Sequence, residues 1–159
     1  MAVNSKYRKI IYRGITAAAA AGPLGAIPGA WDASAIAGVW TTMFVAIAEK
    51  SGHSLNSKFV AKFITTVGSG FCAYYAGCKI ATWMFHLIPG AGTLLACGVS
   101  SLMNIIFTYK FGEACAKLLD KKEFDVGDAT NAATCVLSLL CTLPVPSEIK
   151  DIMDIKRTA

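Results

Sequence analysis

Long apolar stretches alternate along this chain with short connections, and each apolar stretch carries small residues spaced four apart. Residues at this spacing lie above one another on a helix, so each series forms a shallow groove that another helix can approach closely. No alternating strand pattern competes with the helical one. The series are Ser34, Gly38, Thr42, Ala46; Thr65, Ser69, Ala73, Gly77, Ala81; Gly92, Ala96, Ser100, Asn104, Thr108, Gly112, Ala116; and Thr130, Thr134, Ser138, Thr142.

Turn and capping residues divide these stretches into helices. The first helix is expected to end at Gly22-Pro23, and Ser147 is expected to cap a short amphipathic helix at the C-terminal end. We predict an all-α fold, a single domain over 1–159 built from about five apolar helices arranged as hairpins plus that short helix. The five predicted helices cover about 5–21, 32–50, 57–86, 93–119 and 129–143.

Basic residues occur in every second connection. The loops around Pro28, Pro89 and Pro144 contain no lysine or arginine, so one end of the predicted bundle is cationic and the other is neutral. By the positive-inside rule the cationic end is cytoplasmic. The basic residues are Lys6, Arg8, Lys9, Arg13; Lys50, Lys58, Lys62; and Lys117, Lys121, Lys122.

Composition favours a membrane protein with that orientation. Hydrophobic residues make up 55% of the chain and charged residues only 16%, which is unusual for a small soluble domain. A helix that spans a bilayer needs about 20 mostly apolar residues, and Lys79 interrupts the third stretch. Shallow or re-entrant hairpins therefore compete with full crossings.

The proline-containing tips recur and carry a resemblance to a known family. Ile27-Pro28-Gly29 and Ile88-Pro89-Gly90-Ala91-Gly92, followed by Thr108-Tyr109, Gly112 and Ala114, resemble the helical domain that accompanies bacterial Era-like GTPases and occurs in YcjF-type inner-membrane proteins. The likeness covers about 16–119. It implies a membrane-associating hairpin unit without known catalytic residues, and it departs from the GTPase members because no GTPase domain is present.

Signatures of enzymes, metals and cofactors are absent from the sequence. There is no Gly-x-x-x-x-Gly-Lys-Ser/Thr loop for a nucleotide, and the two histidines, His53 and His86, stand apart in different segments. The six cysteines form no C-x-x-C pair and lie in apolar segments, where cysteine behaves as a small hydrophobe. No signal peptide pattern opens the chain. We therefore expect no cofactor, no metal and no catalytic residue.

These observations predict a non-enzymatic membrane protein that self-assembles through its small-residue helix faces to scaffold or shape membrane. The expected partners are the lipid bilayer, further copies of the chain and a separately encoded protein, and no nucleic acid. A pore lined by Ser100, Asn104, Thr108 and Lys79 remains an alternative, as does a soluble assembly that buries its apolar surface between subunits. The predicted contacts are Pro28, Gly29, Pro89 and Gly90 with membrane or partner, Lys6, Arg8, Lys9 and Arg13 with lipid headgroups, and Gly38, Gly77, Ser100, Asn104 and Gly112 in helix packing.

Overall fold

The computed structural model describes residues 5–25, 32–84, 91–121, 124, 127–142 and 145–158, with backbone alone for 25, 32, 72–83 and 156–158. This part of the chain forms six helices and no strand, so the predicted all-α bundle is confirmed. The tips that contain Pro28, Gly29, Pro89 and Gly90 lie outside the described residues. The helices are α1 (Arg8–Gly25), α2 (Asp32–Ser51), α3 (Ser57–Met84), α4 (Gly92–Leu119), α5 (Ala129–Leu140) and α6 (Pro146–Thr158).

The predicted end of the first helix at Gly22-Pro23 is wrong, because α1 continues through Pro23 to Gly25. A proline ring normally clashes with the Cβ of the residue before it and pushes that residue out of the helical conformation. Gly22 has no Cβ, so this clash is absent. Pro23 is the third residue from the end of α1, so the backbone hydrogen bond that it removes falls in the last turn.

Side chains cap the N-terminal ends of three helices. Asn56 Oδ1 accepts from the backbone N–H of Phe59 at 2.8 Å and caps α3. Asp128 Oδ1 accepts from the N–H of Asn131 at 2.9 Å and caps α5. At α6 the predicted cap, Ser147, is wrong: the helix begins at Pro146, and the side chain of Glu148 reaches back to the N–H of Val145 at 3.0 Å. Proline suits the first helical position because its missing N–H would have no partner there.

The connection between α2 and α3 needs one glycine. Gly52 has a φ of 89°, in the left-handed region that residues with a Cβ rarely adopt. This turn lets the N–H of His53 bond the carbonyl of Ala48 at 2.9 Å and close the end of α2.

The first four helices run up and down, and α4 lies at their centre. Helix α4 contacts each of the other helices, and its closest partner is α1. These two are antiparallel, because Ile11 lies against Gly112 whereas Gly22 lies against Ser101. The tightest packing is therefore between the first helix of one hairpin and the second helix of the other.

Aromatic rings fill the space between α2, α3 and α4. Trp40 stacks on Phe111 with ring centroids 4.5 Å apart, and Phe44 stacks on Phe63 at 4.0 Å. Phe71 meets Phe107 edge to face at 4.8 Å. Such pairs contribute about 0.5–1.5 kcal/mol each beyond the area they bury, so they fix the register of α3 against its neighbours.

The bundle has two unlike halves. At 1.5 Å per residue α3 and α4 are about 42 Å long, whereas α5 is only about 18 Å long and ends beside Lys110, in the second half of α4. We call the half with α5, α6 and the second part of α4 the polar half. The apolar half contains α4 from Gly92 to Thr108 and the parts of α1, α2 and α3 beside it.

Candidate functional site

The small-residue series of α4 forms a seam with α1. All seven of its residues are buried, so this series packs inside the molecule. A Cβ placed on Gly22 would lie 1.9 Å from the hydroxyl oxygen of Ser101 and 2.5 Å from its Cα, so the two backbones approach as closely as glycine allows. The amide of Asn104 donates to the carbonyl of Ala18 across the seam at 3.4 Å.

The other small-residue series face outward. Ser34, Gly38 and Thr42 on α2 are exposed, as are Thr65 and Ser69 on α3. The series that begins at Thr130 is also exposed, with three members on α5 and Thr142 just beyond its end. The seam therefore accounts for one series, whereas Thr42 on α2 and Thr134 on α5 lie on the outer surface.

Many outward hydroxyls bond to their own helix. Thr42 donates to the carbonyl of Gly38 at 3.0 Å, Thr134 to that of Thr130 at 2.9 Å and Thr41 to that of Ala37 at 2.7 Å. This back-bonding leaves the outer surface with few hydroxyl protons in need of water. A surface of this kind tolerates an apolar surrounding.

The residues predicted for helix packing differ in their positions. Ser100, Asn104 and Gly112 lie buried in the seam, and a Cβ on Gly112 would lie 2.8 Å from Ile11. Among the described residues, no atom lies within 4 Å of a Cβ placed on Gly38. Its role in packing stays a prediction about contacts between chains. Gly77 lies in the part of α3 for which the structure describes the backbone alone.

Large apolar side chains are exposed in the apolar half. Leu94 on α4 is 78% exposed and Leu102 is 55% exposed, and Met84 at the end of α3 is 64% exposed. Helix α4 carries no charged residue from Gly92 to Tyr109. Among the helices of the described chain, α4 is the one long and apolar enough to cross a membrane. The core helix of a soluble protein passes the same test.

Polar contacts close the opposite end of the bundle. The hydroxyl of Tyr7 donates to the carboxylate of Asp120 and lies 2.8 Å from the hydroxyl of Ser51. Lys6 lies 3.7 Å from the same carboxylate. The contact with Tyr7, followed by the charge of Asp120, raises the pKa of Lys6 above its ordinary value. His53 Nε2 donates to the carbonyl of Leu119 at 2.8 Å. These contacts join α1, α2 and α4 where the sequence places the basic loops.

The four residues predicted for lipid headgroups divide into two pairs. Lys9 and Arg13 are exposed, one turn apart on one face of α1. Lys6 pairs with Asp120, and Arg8 is half-buried with its Nε atom buried. Lys9 and Arg13 are thus the two that present their charge most freely.

A buried lysine marks the boundary between the two halves. Lys110 is 3% exposed, and its ammonium group donates to the backbone carbonyl and, at 2.7 Å, to the hydroxyl of Thr142, just beyond the end of α5. The adjacent Tyr109 donates to Asp151 of α6 at 3.3 Å. Neighbouring residues of α4 thus contact both the end of α5, at Thr142, and α6, at Asp151. Sequence reasoning named Tyr109 only within the resemblance and did not single out Lys110.

Helix α6 has apolar side chains both against the bundle and at the surface. Ile155 is buried against the bundle and Ile152 is partly buried, whereas Ile149 and Met153 are exposed, Met153 by 70%. The sequence groups these four residues on one side of the helix. The structure separates them into an inner pair that anchors α6 and an outer pair at the surface.

The described residues include no group of three or more histidine, cysteine or acidic side chains able to hold a metal ion. His53 is engaged by Leu119 and by an edge contact with Phe124 at 5.0 Å. Cys115 is buried, Cys97 and Cys135 are partly buried and Cys141 is exposed, and all four are free thiols. His86 lies in the part of the chain that the structure does not describe.

Comparison with family models, curated proteins and solved structures finds no match to this chain. The resemblance to the helical domain of YcjF-type proteins therefore stays a prediction from its short motifs.

Proposed function

We propose that this chain is a non-enzymatic membrane protein whose apolar half inserts into a bilayer from the cytoplasmic side. The observation that carries the proposal is the contrast along α4. Residues 107–116 are all buried, whereas Leu94, Leu95 and Leu102 are exposed on the charge-free part of the same helix. Lipid supplies the apolar surrounding that these leucines lack in the folded chain.

The dimensions support insertion of the longer hairpin. The stretch of α4 from Gly92 to Tyr109 is about 27 Å long at 1.5 Å per residue, close to the roughly 30 Å hydrocarbon core of a bilayer. Two charged residues fall in the apolar half, Asp32 at the start of α2 and Lys79 in α3. A lysine near the end of such a helix extends its ammonium group toward the headgroups, so Lys79 limits the depth of α3 rather than forbidding insertion.

Self-association is the second part of the proposal. The small-residue face of α5 allows a helix of another copy to approach closely, and the hydroxyls of Thr134 and Ser138 are already bonded within that helix. Repeated contacts of this kind would build a scaffold on the membrane. Thr134 lies in the middle of the outer face of α5.

Two alternatives are less well supported. A pore within one chain would need Ser100, Asn104 and Thr108 to face water, yet all three are buried in the bundle. A soluble assembly would cover the exposed leucines with other subunits instead of lipid. This second alternative makes a different prediction about extraction from membranes.

Carbonate extraction followed by flotation of cell membranes tests insertion. We expect the protein to float with lipid after carbonate treatment. Release as a large particle into the supernatant would contradict membrane insertion and favour the soluble assembly.

A matched pair of variants locates the inserted half. Leu102→Asp places a charge on the exposed face of α4 and should lower the floating fraction, because a charge near the bilayer centre costs about 2.5–3.5 kcal/mol. Thr130→Asp places the same charge on the exposed face of α5, in the polar half, and should float like the wild type. Equal losses in both variants would contradict the proposed orientation.

Particle size in mild detergent tests self-association. Thr134→Trp fills the groove on the outer face of α5 and should reduce the size of the assembly. Ser147→Trp adds the same ring at an exposed position of α6 and serves as the control. A monomeric wild-type protein would contradict the scaffold.

A further inference from the structure

A groove runs between α1 and α2 on the outer surface of the bundle. Its volume is about 330 Å³. Small and apolar residues form most of its wall, and among the described lining residues Arg13 carries the only charge. The hydroxyl of Thr42 in the wall is bonded to the carbonyl of Gly38, so its proton is not offered to the groove. The wall includes Gly14, Ala17, Val39, Thr42 and Ala46.

Contacts across the seam set the height of Arg13 in the bundle. Ile11 lies against Gly112, and a Cβ on Gly14 would lie 3.5 Å from Thr108. Arg13 lies between Ile11 and Gly14 and is therefore level with Lys110. Above this level α4 is free of charge as far as Gly92. In the orientation of the proposed function, on which this inference rests, Arg13 stands at the bilayer surface.

The charges around the groove favour an anion. Lys9 lies one turn from Arg13 on the same face of α1, and within the described chain neither residue takes part in an ion pair. Glu49 and Lys50 follow Ala46 on α2 and lie about one turn beyond the groove, toward the cytoplasmic end. A guanidinium group matches the geometry of a phosphate and forms paired hydrogen bonds with it.

We propose that this groove binds an anionic phospholipid, with its phosphate at Arg13 and Lys9 and an acyl chain along Gly14, Ala17 and Thr42. The chain then continues past Gly38, where no atom of the protein lies within 4 Å of a Cβ. A helix of a second copy in this groove would cover Arg13 with small apolar residues and leave its charge without a counterion. Lipid provides both the apolar chain and the anion.

Lipid binding to the full-length protein in detergent tests this proposal apart from membrane insertion. Native mass spectrometry with added phosphatidylglycerol or phosphatidylcholine gives the number of lipids retained and their relative affinity. We expect one phosphatidylglycerol to be held about tenfold more tightly than phosphatidylcholine. Inorganic phosphate should not displace it, because the acyl chain contributes to binding.

Three single variants separate the phosphate contact from the groove. Arg13→Gln should remove most of the preference for phosphatidylglycerol. Ala17→Leu, at an exposed position, should weaken both lipids because it fills the groove. Lys62→Gln removes an exposed charge on α3 and should change neither affinity.

Several outcomes would overturn the proposal. Equal affinity of the wild type for both lipids would do so, as would an equal effect of Lys62→Gln and Arg13→Gln, or a dimer that forms in place of lipid retention. Carbonate release combined with an Arg13-dependent lipid preference would refute the proposed function and leave the groove site standing. Flotation without headgroup preference would refute the groove site alone.

Discussion

The ammonium group of Lys110 donates hydrogen bonds to both the backbone carbonyl and the hydroxyl of Thr142. The last carbonyls of a helix lack partners within it, and a positive charge at that end is favourable. A lysine in the middle of α4 therefore closes the C-terminal end of α5.

Replacement of this lysine should loosen the junction between α5 and α6. Lys110→Met keeps the volume but removes both bonds, so we expect a loss of about 2 kcal/mol, the range for a hydrogen bond to a charged group. Thermal unfolding in detergent measures the loss, and amide hydrogen exchange should rise near Thr142 and Asp151. Lys62→Met, at an exposed site, should change neither quantity. Unaltered exchange at Thr142 in Lys110→Met would show that the cap has no energetic role.

Two glycines provide a matched test of the seam. Gly22→Ala places a Cβ against the backbone of Ser101 and should destabilise the protein by about 3 kcal/mol, the upper range for overpacking. Gly38→Ala meets no atom within 4 Å and should be neutral or stabilising by up to about 1 kcal/mol through helix propensity. Thermal unfolding of both variants in the same detergent measures the difference in stability. If the two variants change the unfolding temperature equally, α1 and α4 do not approach as closely as described.

The indole of Trp40 donates to the hydroxyl of Thr108 at 3.0 Å inside the core. Trp40→Phe and Thr108→Val each remove one partner of this bond. The double variant should lose less stability than the sum of the losses in the two single variants. We expect a coupling energy of about 1 kcal/mol, the usual net value of such a bond. Chemical denaturation of the four proteins measures it. Strict additivity would argue that the bond does not form in solution.

Cysteine labelling in reconstituted bilayers should distinguish the two halves. A water-soluble maleimide should react with Cys141, which is exposed at the boundary, and not with Cys97, which lies within the apolar part of α4. Single-cysteine variants at the two positions make the comparison direct. In denaturant both thiols should react alike, which controls for the reagent. Rapid labelling of Cys97 in the bilayer would place the apolar half in water.

Much of the fold follows from local sequence signals. Glycine and proline separate the apolar stretches, Asn56 has the short side chain that caps a helix, and these signals predict five main helices and a shorter final one. Pro23 shows the limit of local reasoning. Pro23 follows Gly22, whose missing Cβ removes one local clash and also lets Ser101 of α4 approach closely.

The candidate site was harder to predict for a related reason. Four series of small residues look equivalent in the sequence, but only the path of α1 selects the one on α4 for internal packing. Likewise, Lys110 becomes a buried cap because α5 is short enough to end beside it. Helix length and helix placement are properties of the assembled bundle, and neither can be read from the residues around Lys110.

The seam also has a consequence for synthesis of the protein. Asn104 bonds a carbonyl that lies 86 residues earlier in the chain, at Ala18. At about 5–20 residues per second, the ribosome needs roughly 4 to 17 seconds to produce the partner of α1 after α1 itself. During this interval α1 presents Gly22 and Ala18 without the helix that covers them. Folding of this protein therefore depends on whatever shields its first helix while the fourth is still being made.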